Sequence, residues 1–281
     1  MDIEAAAAMA RPAISIAAEA GDLDALRREL AWGVAVDLED PSGRTALQLV
    51  CTSGNFAYNR DDRADCVKLL LEHGAAPNAG LPHNPGHGTV QDDQNWAPLM
   101  MATFGRPCPK IVKMLIAAGS DVNANIPGIP DSGGFWSPLS NAVNAVLCSH
   151  IDGEACGLDV VNLLLEAGAD PNLPSNWGKT MMYEAIAIRD GVRCLYPVLL
   201  RAGAVLPFLA RPVTQYQSRQ SYQANRADPY FLRVESAGGF AAHERAHREK
   251  VLATFTPKFT HLVPPELVPL IVEYAFHFGF Y

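Results

Sequence analysis

The chain has 281 residues, 49% apolar and 19% charged, which is enough to bury a sizeable core and excludes disorder throughout. Its 22 Lys and Arg against 30 Asp and Glu leave a net charge of −8, placed unevenly: residues 1–204 carry 14 − 24 = −10 and residues 205–281 carry 8 − 6 = +2. An acidic body is a poor match for duplex nucleic acid or an anionic membrane surface, so neither is expected as a partner. The longest apolar run near the C-terminus, Leu267–Phe276, is interrupted by Pro269 and Glu273 and falls short of the roughly 20 residues of a membrane span. Asp2 and Glu4 precede a short Ala run at the start, which is not the basic opening of a secretory signal. Six cysteines spread through a chain of this size fit a reducing compartment, so cytosol or nucleus is expected.

In chain order, residues 1–12 form an extension and a helical stretch, AISIAAEAGD, begins at Ala13. After RELAWGVAVD (Arg28–Asp37), two strings alternate. The first reads TALQLVC at Thr45, APLMMAT at Ala97, SPLSNAV at Ser137 and TMMYEAI at Thr180. The second reads LLLEHGAAPN (Leu69–Asn78), MLIAAGSDVN (Met114–Asn123), LLLEAGADPN (Leu163–Asn172) and VLLRAGAVLP (Val198–Pro207). Apolar residues in the second string recur at i, i+3 and i+4, as in Val67, Leu70 and Leu71, which is one stripe of a helix. Gly74, Gly119, Gly168 and Gly203 terminate those helices, and Pro98 and Pro138 suit the first turn of the helices before them. No such pair can bury its apolar stripe alone, so the pairs must stack.

Gly33, Gly74, Gly119, Gly168 and Gly203 are 41, 45, 49 and 35 residues apart. Insertions are therefore expected within units, near Asn55–Asp62 and Val146–Gly157, and between units, near Gly80–Gln94 and Ile126–Gly134. The latter two are rich in Gly, Pro, Asn and Asp and read as loops.

Taken together, these strings resemble the ankyrin repeat, in five units over residues 13–204. The resemblance implies an all-α solenoid of paired helices with hairpin turns, acting as a noncatalytic protein-binding module on a partner protein of unknown identity. It also implies that binding uses the hairpin tips and the first-helix face. Trp96, Trp136 and Trp177 share, to within two residues, one position of that surface, and Arg44 holds it in the second unit. Trp and Arg are the residue types most enriched at interface hot spots. Phe104, Arg106, Asn144 and Lys179 complete the candidate surface. Asn123, in LIAAGSDVN, also resembles the asparagines that an asparaginyl hydroxylase modifies in such arrays, but side-chain capping of its own turn is the expected reason for its presence.

Beyond Gly203 the period is lost, and residues 205–237 read as a polar linker. In residues 238–281 a helix is expected from Phe240 to about Phe255, ended by Pro257, and a second from Pro264 to Phe276. As a cap, this tail would bury Leu267, Leu270, Ile271 and Phe276; LVPPELVPLIVEYAF also resembles the opening helix of an F-box or SOCS box. That resemblance implies a substrate adaptor that binds ubiquitin-ligase components through the tail.

Two strings carry ligand-type residues. HERAH (His243, Glu244, His247) matches HExxH literally, where two histidines hold zinc beside a glutamate base. A third ligand should follow, with His261, Glu266 and Glu273 as candidates, but no catalytic scaffold surrounds the motif to hold a cleft, and a charged helix face is expected instead. CSHIDGEAC (Cys148, His150, Cys156) departs from zinc-ligand spacing, and His83 and His87 read as solvated. No catalytic residue, metal or cofactor is expected.

Overall fold

The computed structural model describes residues 11–52, 60–80, 96–127, 135–152, 157–175, 178–187, 192–206, 228–259 and 263–271. The chain divides into two compact units, Met1–Lys179 and Thr180–Tyr281.

In the first unit the two alternating strings become four helix pairs: α1 (Ala13–Ala20) and α2 (Leu23–Ala31), α3 (Ala46–Cys51) and α4 (Arg60–Glu72), α5 (Pro98–Thr103) and α6 (Pro109–Ala117), α7 (Pro138–Asp152) and α8 (Leu158–Glu166). Their ends follow from local chemistry. Thr45 and Gln48 form a reciprocal capping box at α3, and Ser137 and Ser140 exchange backbone and hydroxyl bonds of 2.9 and 3.1 Å at α7. Gly119 ends α6 at φ +87°, a left-handed conformation that its lack of a Cβ makes available. There the Gly119 N–H donates to the Ile116 carbonyl and the Ser120 N–H to that of Leu115, at 3.0 and 3.1 Å. The same two bonds recur at Gly74 and Gly168.

Helices α1, α3, α5 and α7 pack in succession as one layer, and α2, α4, α6 and α8 as a second. Leu26, Leu47, Leu70, Leu99, Leu115 and Leu164 are fully buried between them. This is the all-α solenoid, with paired helices repeating along the unit.

Two of the insertions take regular structure, one of them the Ile126–Gly134 stretch that its composition marked as a loop. The stretch near Val146–Gly157 largely extends α7, which runs to Asp152 because no Gly or Pro interrupts it before Gly153. The insertion after Ile126 opens and closes as an antiparallel ribbon, β1 (Ile126–Pro127) against β2 (Phe135–Trp136), with Ile126 opposite Trp136 and Pro127 opposite Phe135.

The second unit contains α9 (Met181–Ala187), α10 (Leu195–Arg201), α11 (Pro229–Ser236) and α12 (Phe240–Phe259), then a 3-10 turn at Pro265–Leu267. Helix α11 lies inside the stretch expected as polar linker. Asp228 caps it by accepting the Tyr230 N–H at 2.9 Å, Pro229 occupies its first turn, and Phe231 and Val234 are buried. The buried Tyr196 ring of α10 packs 4.7 Å from Phe231 and 5.9 Å from Tyr230. Helix α12 continues through Pro257 to Phe259 rather than stopping before it. Val268 is buried against Val251, Leu252 and Val263, whereas Leu267, Leu270 and Ile271, expected inside a cap, are 43%, 60% and 41% exposed. The covering of Tyr196 falls to α11, which sequence periodicity did not reveal. Phe276 lies outside the described residues. Among the described residues, no helix is long and apolar enough to cross a membrane.

Candidate functional site

The repeating register of the first unit is held by side chains at one offset, four residues beyond each helix-ending glycine. The Asn78 amide donates to the Gly119 carbonyl at 3.1 Å, and its oxygen accepts the Asp121 N–H at 2.8 Å. Asn123 repeats this on the next unit, with Gly168 at 3.1 Å and Asp170 at 2.8 Å. Asp37, at the same offset, accepts the Ala76 N–H at 3.0 Å. Asn123 is thus engaged at both ends of its amide by the next repeat, and the turn it was expected to cap is instead capped by Asp121, whose carboxylate accepts the Asn123 N–H at 2.9 Å. In the first-helix layer the buried Gln48 donates to the Trp96 carbonyl at 2.9 Å and the buried Asn141 to that of Met100 at 3.1 Å. Sequence reasoning missed these ties, although the recurring Gly-x-x-x-Asn spacing was the visible signal of those made by Asn78 and Asn123.

That framework positions an aromatic cluster. Trp96 directly precedes the α5 cap and is fixed through its carbonyl by Gln48. Phe104 is the C-cap of α5, and Trp136 is held in register by Ile126 across the ribbon. The Trp96 ring centroid lies 5.3 Å from Phe104, edge to face, and 5.5 Å from Trp136. Phe104 and Trp136 are 6.2 Å apart. These are favourable separations for aromatic pairs. Trp96, Trp136 and Ile126 cover the buried Ala97, Met100 and Ala124. The two tryptophans are half-buried, and Phe104 is 42% exposed. The cluster therefore seals the edge of the core and presents a rigid apolar surface to solvent.

The other candidate residues divide. Arg106 follows Phe104 closely and is exposed, as is Asn144 on α7, whose Oδ1 lies 3.9 Å from the Cys148 thiol. Arg44 is drawn into its own hairpin, its Nε 3.1 Å from the Ser42 hydroxyl and its Nη2 3.9 Å from Asp40. Burial alone would raise the Asp40 carboxyl, but bonds from the Ser42 hydroxyl and the Arg44 and Ser42 N–H groups, with the Arg44 charge, bring it below its ordinary value. Lys179 is half-buried, and its carbonyl accepts the Ser175 N–H at 2.7 Å. Trp177 lies outside the described residues. The structure thus brings Trp96, Phe104 and Trp136 together and sets Arg44 apart.

Of the ligand-type strings, His243 and His247 stack at 6.3 Å on α12, and Glu244 pairs with Arg201 at 3.0 Å. Among the described residues, no three His, Cys, Asp or Glu side chains form a metal-binding group. Cys156, His83, His87, His261 and Glu273 fall outside the described residues, as does the side chain of His150.

A family model of ankyrin repeats matches residues 14–126 in three copies. The chain is 30% identical over 211 residues to the ankyrin repeat protein YahD of Escherichia coli (strain K12), covering 67% of this chain and 94% of that protein. It is 25% identical over 194 residues to the E3 ubiquitin-protein ligase KEG of Arabidopsis thaliana, covering 66% of this chain and 10% of that protein.

Proposed function

Because the chain belongs to the ankyrin-repeat family, whose arrays are protein–protein interaction modules, we propose that it is a noncatalytic recognition subunit that binds a partner protein through its first-helix face. The observation that carries this reading is the cluster of Trp96, Phe104 and Trp136, pre-ordered by ring contacts of 5.3–6.2 Å yet open to solvent at Phe104. Rigid aromatic area is buried on binding at little entropic cost, and flanking Arg and Asn supply orientation. Arg106 and Asn144 are exposed and able to serve in that way.

The test is affinity capture from native extract with the intact chain and with a Phe104→Ala, Arg106→Ala, Asn144→Ala variant, compared by quantitative mass spectrometry. These three side chains lie outside the buried core, so helical circular dichroism should be unchanged. Specific partners should fall by about tenfold or more in the variant, the size of a hot-spot loss. An unchanged partner set would overturn the assignment of this face.

The adaptor reading has one supporting observation, the exposure of Leu270 and Ile271 on the last helical turn. Its likeness to a ligase covers only 10% of that protein, so ligase activity does not transfer with it. Capture with Leu270→Glu, Ile271→Glu discriminates: selective loss of ubiquitin-ligase components would support an attachment box, and unaltered capture would remove it.

A further inference from the structure

The second unit holds a cavity of about 580 Å3 that takes no part in the proposed protein-binding face. Its walls come from three elements. On α12, His243, His247 and Lys250 line it at i, i+4 and i+7, one face of the helix. Tyr230 and Arg233 line it from α11, and Arg193 from the turn before α10. The wall contains a single carboxylate, Asp228. Its side chain is 10% exposed and already committed, capping α11 and lying 3.0 Å from Arg193. Glu244, whose charge acts on His243, is engaged by Arg201. Apart from the two histidines, the three cations and one carboxylate of the wall leave 3 − 1 = +2 at the cavity.

The ring geometry agrees with that charge. His243 meets Tyr230 edge to face at 5.7 Å and stacks with His247 at 6.3 Å. Burial lowers the His243 pKa, and the charges of His247 and Arg233 lower it further, against a smaller opposing contribution from Glu244. Its imidazole is therefore a neutral N–H donor at pH 7, and an anion alongside would favour its protonated form. A phosphomonoester is close to a dianion at that pH and offers three acceptor oxygens, matching both the +2 charge and the Arg and Lys donors. A carboxylate supplies half that charge. The tyrosine faces beside it suit an apolar or ring-bearing remainder.

We propose that this cavity binds a small-molecule phosphomonoester, with Arg233 and Lys250 on the phosphoryl oxygens and Tyr230 against the body of the ligand. The test uses the full chain and phenyl phosphate, by calorimetric titration at pH 7.5, with benzoate as the monoanionic control. Saturable binding at a 1:1 ratio is expected, about tenfold or more tighter than benzoate. Arg233→Gln with Lys250→Gln should weaken it about tenfold or more, whereas Arg245→Gln, an exposed charge elsewhere on α12, should not. No saturation by the wild-type chain, or equal affinity in the double variant, overturns the proposal, and parity with benzoate overturns the phosphoryl assignment. Should the double variant fail to fold, the His243 titration followed by NMR in the wild-type chain decides. Its pKa should rise on adding phenyl phosphate, and an unmoved titration rejects the site.

Discussion

The two units close the same helix pair in different ways. In residues 1–179, the position four residues past each helix-ending glycine is Asp37, Asn78, Asn123 or Asn172, and the first three of these bond the backbone of the next unit. In residues 180–281 that position is Pro207, which offers no side-chain donor or acceptor. There the buried Tyr196 packs instead on Tyr230 and Phe231 of α11. Charge separates the units as well, at 11 − 22 = −11 in the first and 11 − 8 = +3 in the second. A repeated array gains its register from one short polar side chain at a fixed offset; where the repeat ends, burial by large aromatic rings replaces it.

The largest expected effect lies in the cores. Leu115→Ala in the first unit and Phe231→Ala in the second should each cost about 3 kcal/mol, since both side chains are at most 1% exposed. Their spread should differ. Neighbour-coupled repeats transmit a lost contact along the stack, so Leu115→Ala should lower amide-exchange protection together in α4, α6 and α8. Phe231→Ala should lower it in α10–α12. Protection lost only within α6 would break the contrast, because the first unit would then behave as separate pairs.

Next in size is the ladder itself. Asn123→Ala removes a donor to Gly168 and an acceptor for Asp170 and should cost about 2 kcal/mol in denaturant unfolding. Asn123→Asp keeps the acceptor, as Asp37 does naturally, and should cost less. Equal loss in both variants would assign the coupling to the Gly168 bond alone.

Much of the first unit was legible because its signals are local and repeated: the i, i+3, i+4 stripe of Val67, Leu70 and Leu71, and the glycine that ends each helix. The ladder was half visible, since Asn123 reads as a turn residue, whereas its partners Gly168 and Asp170 are set by stacking, which no single unit displays. At the candidate site, sequence placed Trp96 and Trp136 at equivalent positions, but their contact depends on the Ile126–Trp136 ribbon, formed inside a stretch with loop composition. Helix α11 was hidden because PYFLRVES is short and its Phe231 and Val234 are too few to show a period. The cavity was least legible of all. His243, His247 and Lys250 were visible as a helix face, but Arg193 and Asp228 join them only through the packing of the second unit.

The smallest expected effect has the opposite sign and isolates the aromatic closure of the second unit. The Tyr196 hydroxyl is buried with no hydrogen-bond partner among the described residues, and an unsatisfied buried hydroxyl costs stability that a matching apolar group does not. Tyr196→Phe keeps the ring contacts with Tyr230 and Phe231 and should raise stability by about 1 kcal/mol. Burial, reinforced by the nearby Asp228 charge and opposed by Arg193, pushes the Tyr196 pKa up to about 12. An unfolded tyrosine ionises near 10, so the unfolded chain gives up this proton first as the solution becomes alkaline. The wild-type chain should therefore lose stability between about pH 10 and 12, on top of the loss from its other groups. The Phe variant lacks that proton, so its advantage over wild type should widen across the same interval when both are followed by thermal unfolding. A constant difference would mean that the hydroxyl reaches water in the folded protein, and that the closure around Tyr196 is looser than the ring distances indicate.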